Sequence, residues 1–411
     1  MTDEVELRAL AWLRTPGAVR ERCHALLALA EADGLLHFEL DPVRLDDAAD
    51  YVAAVIRADY PDLAIPYHSR WRHFQAGGID RWDMLTARLR GSDPAELARR
   101  RIDLCTVSVL LDAGAGPHWR FREPGTGQAL SRSEGLAVAS LHAFCSGLFS
   151  GDPDRPLRAD ADGLSCVTDA ALAAALQVGP ENPLAGAPGR AALLRNLGTT
   201  LRRRPDLFGT EARIGGLLDH WRSRAVSGVL AAKTLLTTIL DALAPIWPGR
   251  LVMGGENLGD VWAHPMLGGE GPGAGLVPFH KLSQWLSYSM VEVLEQSSIA
   301  VSGLDDLTGL AEYRNGGLFI DIGVLRLRDR SLALAPLAVD HPAVVEWRAL
   351  TVALLDRLAP LLRARLGATA EELPLARLLQ GGTWEAGRRI AHERREDGGP
   401  PLTVLSDGTV F

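Results

Sequence analysis

Lysine is almost missing from this chain: of its 43 Lys and Arg residues, only Lys233 and Lys281 are lysine. A GC-rich coding bias accounts for the preference for arginine and makes each surviving lysine conspicuous. Cysteine is scarce too, with Cys23, Cys105, Cys145 and Cys166 scattered and no C-x-x-C spacing. That pattern argues against a disulfide frame or a cysteine zinc site and fits reduced thiols in a cytoplasmic protein. No apolar run approaches the ~20 residues of a membrane helix, so a membrane partner is not expected. The acidic start, Met1 to Asp3, lacks a basic-then-apolar leader, which argues against secretion. Positive charge is in deficit, 43 basic against 51 acidic residues for a net charge of −8. With no basic stripe, nucleic acid is not an expected partner.

What is present is a chain of 411 residues, 47% hydrophobic, enough for one large globular unit. Two intimate subdomains are the variant of that expectation: a helical one over 1–150 and another over 190–411. The Gly- and Pro-rich stretches 151–158 and 179–189 mark the boundary. Helical periodicity predicts helices over 16–33, 42–56, 93–111, 131–149, 168–178, 189–203, 224–246, 278–297, 341–366 and 383–395. Asp93 with Glu96, and Ser131 with Glu134, have capping-box spacing. In 278–297, Leu282, Trp285, Leu286, Met290, Val293 and Leu294 fall on one apolar stripe. Strand signals are few: a tail hairpin turning at Asp407-Gly408, and Leu318–Leu327, which suits either a strand or a buried helix. The expected class is mainly α with a small β component.

Five segments hold residues that a core does not need. In 65–78, two His, two Arg and three aromatics fall within eight residues, including Tyr67, His68, Arg70 and Trp71. Such a loop can stack on and hydrogen-bond a planar or anionic ligand, or form a solvated turn before a helix. In 111–119, small residues around Asp112 allow close backbone approach, though Asp112 equally suits a cap. In 254–264, Asn257, Asp260, Trp262 and His264 suit a sugar- or base-binding loop. They lack the paired-histidine spacing of a metal site, so no metal is expected. In 277–289, His280 and Lys281 open a helix, where a cation opposes the helix dipole. In 304–321, the pattern L-x-x-L-x-G-L resembles a helix-hairpin-helix, followed by Glu312, Tyr313, Arg314 and Asp321. Arg314 can hold an anion through two bonds or pair with Glu312 for stability.

Together these segments resemble the uracil catabolism protein 4 family. The matching residues are 65–78, 110–119, 133–149, 257–264, 278–289, 312–323, 346–351 and the tail 399–411, spanning nearly the whole chain. The resemblance implies a place in pyrimidine breakdown, where cleavage of an N-glycosidic bond in a ribosylurea 5′-phosphate is the step to be filled. Leu310–Arg314 is also similar to a segment of queuosine-nucleotide N-glycosidases, which implies a DNA-glycosylase-like helical core. There the acid of the segment belongs to the active site; here it is Glu312, one methylene longer.

Those resemblances make a small phosphorylated ribose or ureido compound the expected substrate, with no cofactor. Glycosidic cleavage needs a carboxylate near C1′, a positioned water and help for the departing nitrogen. Glu312 suits the first task, with Asp321 or Asp260 as second carboxylate and His280 or His68 aiding the leaving group. Arg314, Lys281 or Arg70 would meet the phosphate, with Asp112, Asn257 and Tyr313 lining the site. Tyr67, Trp71 and Trp262 would cover the flat face of the ligand. Two alternatives stand beside this: an amidohydrolase using a metal or an activated Ser or Cys, and a non-catalytic nucleotide-binding or scaffold protein.

Overall fold

A computed structural model of the protein describes residues 2–89, 91–405, 408 and 409. It is mainly helical, and its β structure is confined to two-stranded ladders. The ladder of Phe38–Leu40 with Leu325–Leu327 is antiparallel and ties the first part of the chain to the last. The apolar core is continuous from Val19 to Leu402. It includes Ala159, Leu164, Val167, Leu172 and Leu176 from the stretch expected to separate two subdomains.

Two helices organise the interior. In Pro342–Leu366 every residue from Ala343 to Leu355 is buried. Its flanks are covered by the helices Pro16–Glu31, Arg44–Asp59 and Tyr313–Ile322. The second, Lys281–Glu295, departs from the amphipathic stripe, because Leu282 through Val291 are all buried. The segment after Leu304 covers the polar side, and Thr308 satisfies it. Gln284 Nε2–H donates to Thr308 Oγ1 (2.5 Å) and the Tyr288 hydroxyl to the Thr308 carbonyl (2.9 Å).

Most expected helices are present with ends shifted by a few residues, and Asp93 caps Pro94–Leu110 by accepting the N–H groups of Ala95 and Glu96. Three expectations change. The helix expected from 224 starts at Ala232, because Ser227 and Gly228 take positive φ and Val229–Ala231 then pairs in parallel with Ala300–Ser302. The first arm of the helix-hairpin-helix pattern is a single 3-10 turn, Leu304–Asp306. Arg20 holds it by bonding the carbonyls of Asp305, Asp306 and Leu307, which a continuing helix would need for itself. Leu318–Leu327 divides into the end of the Tyr313–Ile322 helix and the strand Leu325–Leu327. The turn of the tail hairpin lies partly outside the described residues, and Val404 instead bridges to Leu337.

Helix Trp384–Arg394 packs on Tyr313–Ile322 at a glycine: a Cβ on Gly387 would lie 2.1 Å from the Arg314 carbonyl oxygen. Gly387→Ala is therefore expected to destabilise by about 1–3 kcal/mol through overpacking, read as a lower urea midpoint. An unchanged midpoint would mean the two helices can separate freely at this crossing.

Candidate active site

The helix Lys281–Glu295 starts from an unusual backbone. His280 adopts a left-handed conformation (φ 49°), and Asp260 secures the turn from outside. The Asp260 carbonyl accepts the Phe279 N–H (2.9 Å), and Oδ2 accepts the Lys281 N–H (3.0 Å). Oδ1 accepts the Trp262 indole N–H (2.7 Å), and both oxygens take the Arg348 guanidinium at 2.7 Å each. Burial alone pushes the Asp260 carboxyl up, but Arg348 more than offsets it and holds the group well below the usual carboxylate range. Asp260 thus fixes where Lys281 starts.

Of the carboxylates that act on the Lys281 ammonium, Asp112 and Glu312 act most strongly, ahead of Asp260. Burial lowers the ammonium pKa and these two acids partly restore it. Glu312 caps the helix Tyr313–Ile322, with Oε2 accepting the Arg314 N–H (2.8 Å) and Oε1 the Asn315 N–H (2.6 Å). Burial raises its pKa against those two bonds. Asp112 follows the helix Pro94–Leu110, ion-pairs with Arg70 Nη1 (2.9 Å) and accepts the Ser133 hydroxyl (2.9 Å). Arg70 is fully buried, and also donates to Ser108 Oγ (2.7 Å) and the Ser133 carbonyl (3.1 Å).

The Trp285 indole is the hub of the cluster. Arg70 Cζ lies 5.4 Å and Lys281 Nζ 5.9 Å from its ring centre. The rings of His73 and His68 lie at 5.4 and 6.1 Å, and each is 6.0 Å from Trp384. Both imidazoles are pushed down to about 3 by burial, so both are neutral at pH 7. His68 Nδ1–H donates to the Gln380 side-chain oxygen (3.0 Å). Three buried polar atoms around this hub have no partner among the described residues: Arg70 Nη2, His73 Nδ1 and Trp285 Nε1. A group of such atoms on one hub beside paired acids is an arrangement that a polar ligand completes.

Among the described residues, no group of three His, Cys, Asp or Glu side chains is placed to hold a metal ion. A family model described as "Protein of unknown function (DUF1688)" matches residues 12–411. The chain belongs to this family. The protein urg3 of Schizosaccharomyces pombe is 40% identical over 401 residues, covering 96% of each chain. Uracil catabolism protein 4 of Lachancea kluyveri is 38% identical over 410 residues, covering 91% of this chain and 92% of the relative.

In this family member Arg70, Asp112, His68, Lys281 and Glu312 come together, with Tyr313 and Arg314 on the following turn. Arg314 stacks 4.9 Å from the Tyr313 ring and donates to the Gly398 carbonyl (2.8 Å). Other expected site residues are placed elsewhere. Asp321 is held bidentately by Arg395 (2.7 and 2.5 Å) at the far end of its helix. Asp260 is committed to Arg348, as described above. His280 donates Nε2–H to the Leu13 carbonyl (2.9 Å), and burial lowers its pKa. Trp71 donates to the Ser289 carbonyl (2.9 Å) under the Arg101 guanidinium, and Trp262 is tied to Asp260. Asn257 bonds the Trp247 carbonyl (3.1 Å). Tyr67 contacts Glu295 (3.4 Å), fourteen residues along the helix from Lys281, or about 21 Å at 1.5 Å per residue.

His73, Ser133, Trp285 and Trp384 are added by the structure. His73 stood inside the segment 65–78 and Trp285 on the apolar stripe, so sequence assigned one to a loop and the other to the core. Tyr67→Phe is expected to leave turnover within about twofold of wild type, being remote from the cluster. A tenfold loss in a steady-state assay would place the ligand at the Glu295 end instead.

Proposed function

We propose that this protein is a hydrolase of uracil catabolism, an N-glycosidase that cleaves a ribosylurea 5′-phosphate to urea and ribose 5-phosphate. The printed name of the Lachancea kluyveri relative supports the pathway. The observation that carries the reaction class is the cluster on Trp285, where Arg70 and Lys281 lie over the ring beside three buried polar atoms that have no partner among the described residues.

The roles follow from position. Glu312, raised by burial, gives its proton to the departing urea nitrogen and remains as a carboxylate beside the oxocarbenium-like C1′. Asp112 is the second carboxylate: Asp260 and Asp321 each give both oxygens to one guanidinium, whereas Asp112 gives Oδ1 to Arg70 and holds Oδ2 on the Ser133 hydroxyl. The free Nη2 of Arg70, with Arg314, meets the phosphate, and Trp285 Nε1–H and His73 Nδ1 address the flat urea group. An activated-thiol amidohydrolase gains no support, since burial pushes the Cys105 thiol up to about 12. Ser108 is engaged with Ser140 (2.6 Å) and Arg70.

The test is incubation of purified protein with ribosylurea 5′-phosphate, assaying urea and ribose 5-phosphate. Equimolar release is expected, and Glu312→Gln should slow it on the order of 10²-fold. That variant also weakens a helix cap, at about 1 kcal/mol, so its thermal unfolding is measured alongside. No release by wild type, or a Glu312→Gln rate equal to wild type, overturns the proposal.

A further inference from the structure

We infer that Lys281 is the nucleophile that displaces urea, carrying the ribose phosphate as an imine on Nζ until water releases it. This rests on the glycosidase reading and deepens it by naming the attacking atom.

Three observations carry the inference. First, the arginines around the cluster are held in place, Arg70 by Asp112, Ser108 and Ser133, Arg348 by Asp260 and Arg314 by the Gly398 carbonyl, which leaves Arg70 and Arg314 their remaining N–H groups for the phosphate. Among the described residues, the Lys281 side chain forms no hydrogen bond or ion pair, and the acids that act on it most strongly are Asp112 and Glu312. Second, the amine of the partly buried Lys281 lies beside the Trp285 ring, 5.9 Å from its centre, and what burial it has favours the neutral, nucleophilic form. Third, a phosphate clamp would be better served by arginine, which is always charged and binds bidentately. A chain that uses arginine at nearly every basic position has at this point a side chain able to do what arginine cannot, which is to lose its proton and attack carbon.

The step balances without a further reagent. The Nζ lone pair bonds to C1′ as the C1′–N bond to urea breaks, and that bond pair leaves on the urea nitrogen. Urea takes the proton of Glu312, and the new secondary ammonium returns a proton to the Glu312 carboxylate. The C1′–O4′ bond then opens, its electron pair and a proton from Nζ going to O4′, which leaves the C1′=Nζ imine. Water adds to C1′, the C–N bond breaks, and ribose 5-phosphate departs as the aldehyde with the lysine restored. One water is consumed and nothing is oxidised or reduced.

The experiment traps the imine from the product side. The full protein is incubated with ribose 5-phosphate, treated with sodium borohydride and mapped by peptide mass spectrometry. The expected result is a mass gain of one ribose 5-phosphate less one oxygen at Lys281, lost in Lys281→Arg. Lys233, which is exposed, is the internal control for non-specific glycation. An adduct missing at Lys281, or no greater there than at Lys233, overturns the inference. Urea release is measured on the same preparation. Release without the adduct removes the lysine nucleophile and leaves a glycosidase using water directly. The adduct without release keeps the imine chemistry and removes ribosylurea 5′-phosphate as substrate.

Discussion

Arg348→Met is expected to cost about 3–5 kcal/mol of folding stability, because it strips a buried carboxylate of its only strong counter-charge. Asp260 receives both guanidinium bonds at 2.7 Å and is otherwise held by one indole and one backbone N–H. Two neutral donors cannot replace a cation for a fully enclosed anion. Against a total of about 5–15 kcal/mol for a folded domain, the loss is a large share. The double variant Asp260→Asn with Arg348→Met should recover much of it, since no buried charge is left and the amide oxygen still accepts the Lys281 N–H. Urea denaturation midpoints at pH 7.5 decide the matter. A single-variant loss under about 1 kcal/mol, or a double variant no better than the single, would show that Asp260 is reached by solvent. The same pair sets the start of the Lys281 helix, so the single variant should also lower turnover in the molecules that stay folded.

Helices were legible where their signals are local. The Asp93 cap and the stripe through Trp285 depend on residues a few positions apart, and both predicted helices that exist. What sequence could not show is which polar residues find distant partners. Asp260 and Arg348 are 88 positions apart, so an acid that looked free for chemistry proves to be a structural anchor. Asp321 meets Arg395 across 74 positions with the same result. The converse holds for Gln284 and Tyr288, polar residues off the apolar stripe that are buried because Thr308 supplies their bonds. Within the site, Arg70, Asp112, Lys281 and Glu312 were each singled out, but their meeting point was not visible. Arg70 and Asp112 are drawn together through Ser133, a residue with no signal of its own. Tyr67 and Arg70, three positions apart, meet one helix at different heights: Tyr67 reaches Glu295, whereas the Arg70 N–H bonds Ser289 Oγ (2.9 Å) and its guanidinium lies over Trp285.

Acid lability is the second large effect, and its sign can be worked out from His68 and His73. Burial pushes both imidazoles down to about 3, whereas an unfolded histidine titrates near 6.5. Between those values the unfolded chain binds protons that the folded protein refuses, so stability falls as pH falls through that window. At pH 5 each group costs about 2 kcal/mol, at 1.36 kcal/mol per pH unit over roughly 1.5 units, and the pair about 4 kcal/mol. Asp260 works in a different range. Its folded pKa is depressed, so the stability it contributes is complete above the unfolded carboxylate value and is lost only below about pH 4. A decline between pH 6.5 and 5 therefore belongs to histidine. Urea midpoints at pH 7.5, 6 and 5 should drop steadily, and a flat profile would mean that the rings are hydrated and protonate in place. His73→Phe keeps an aromatic edge against Trp285 and Trp384 while removing the titrating group, so it should abolish about 2 kcal/mol of the loss at pH 5. Because His73 Nδ1 has no partner among the described residues, the same variant should gain acid stability and lose affinity for the ligand. That opposed pair of changes is what separates a binding residue from a packing residue at this position.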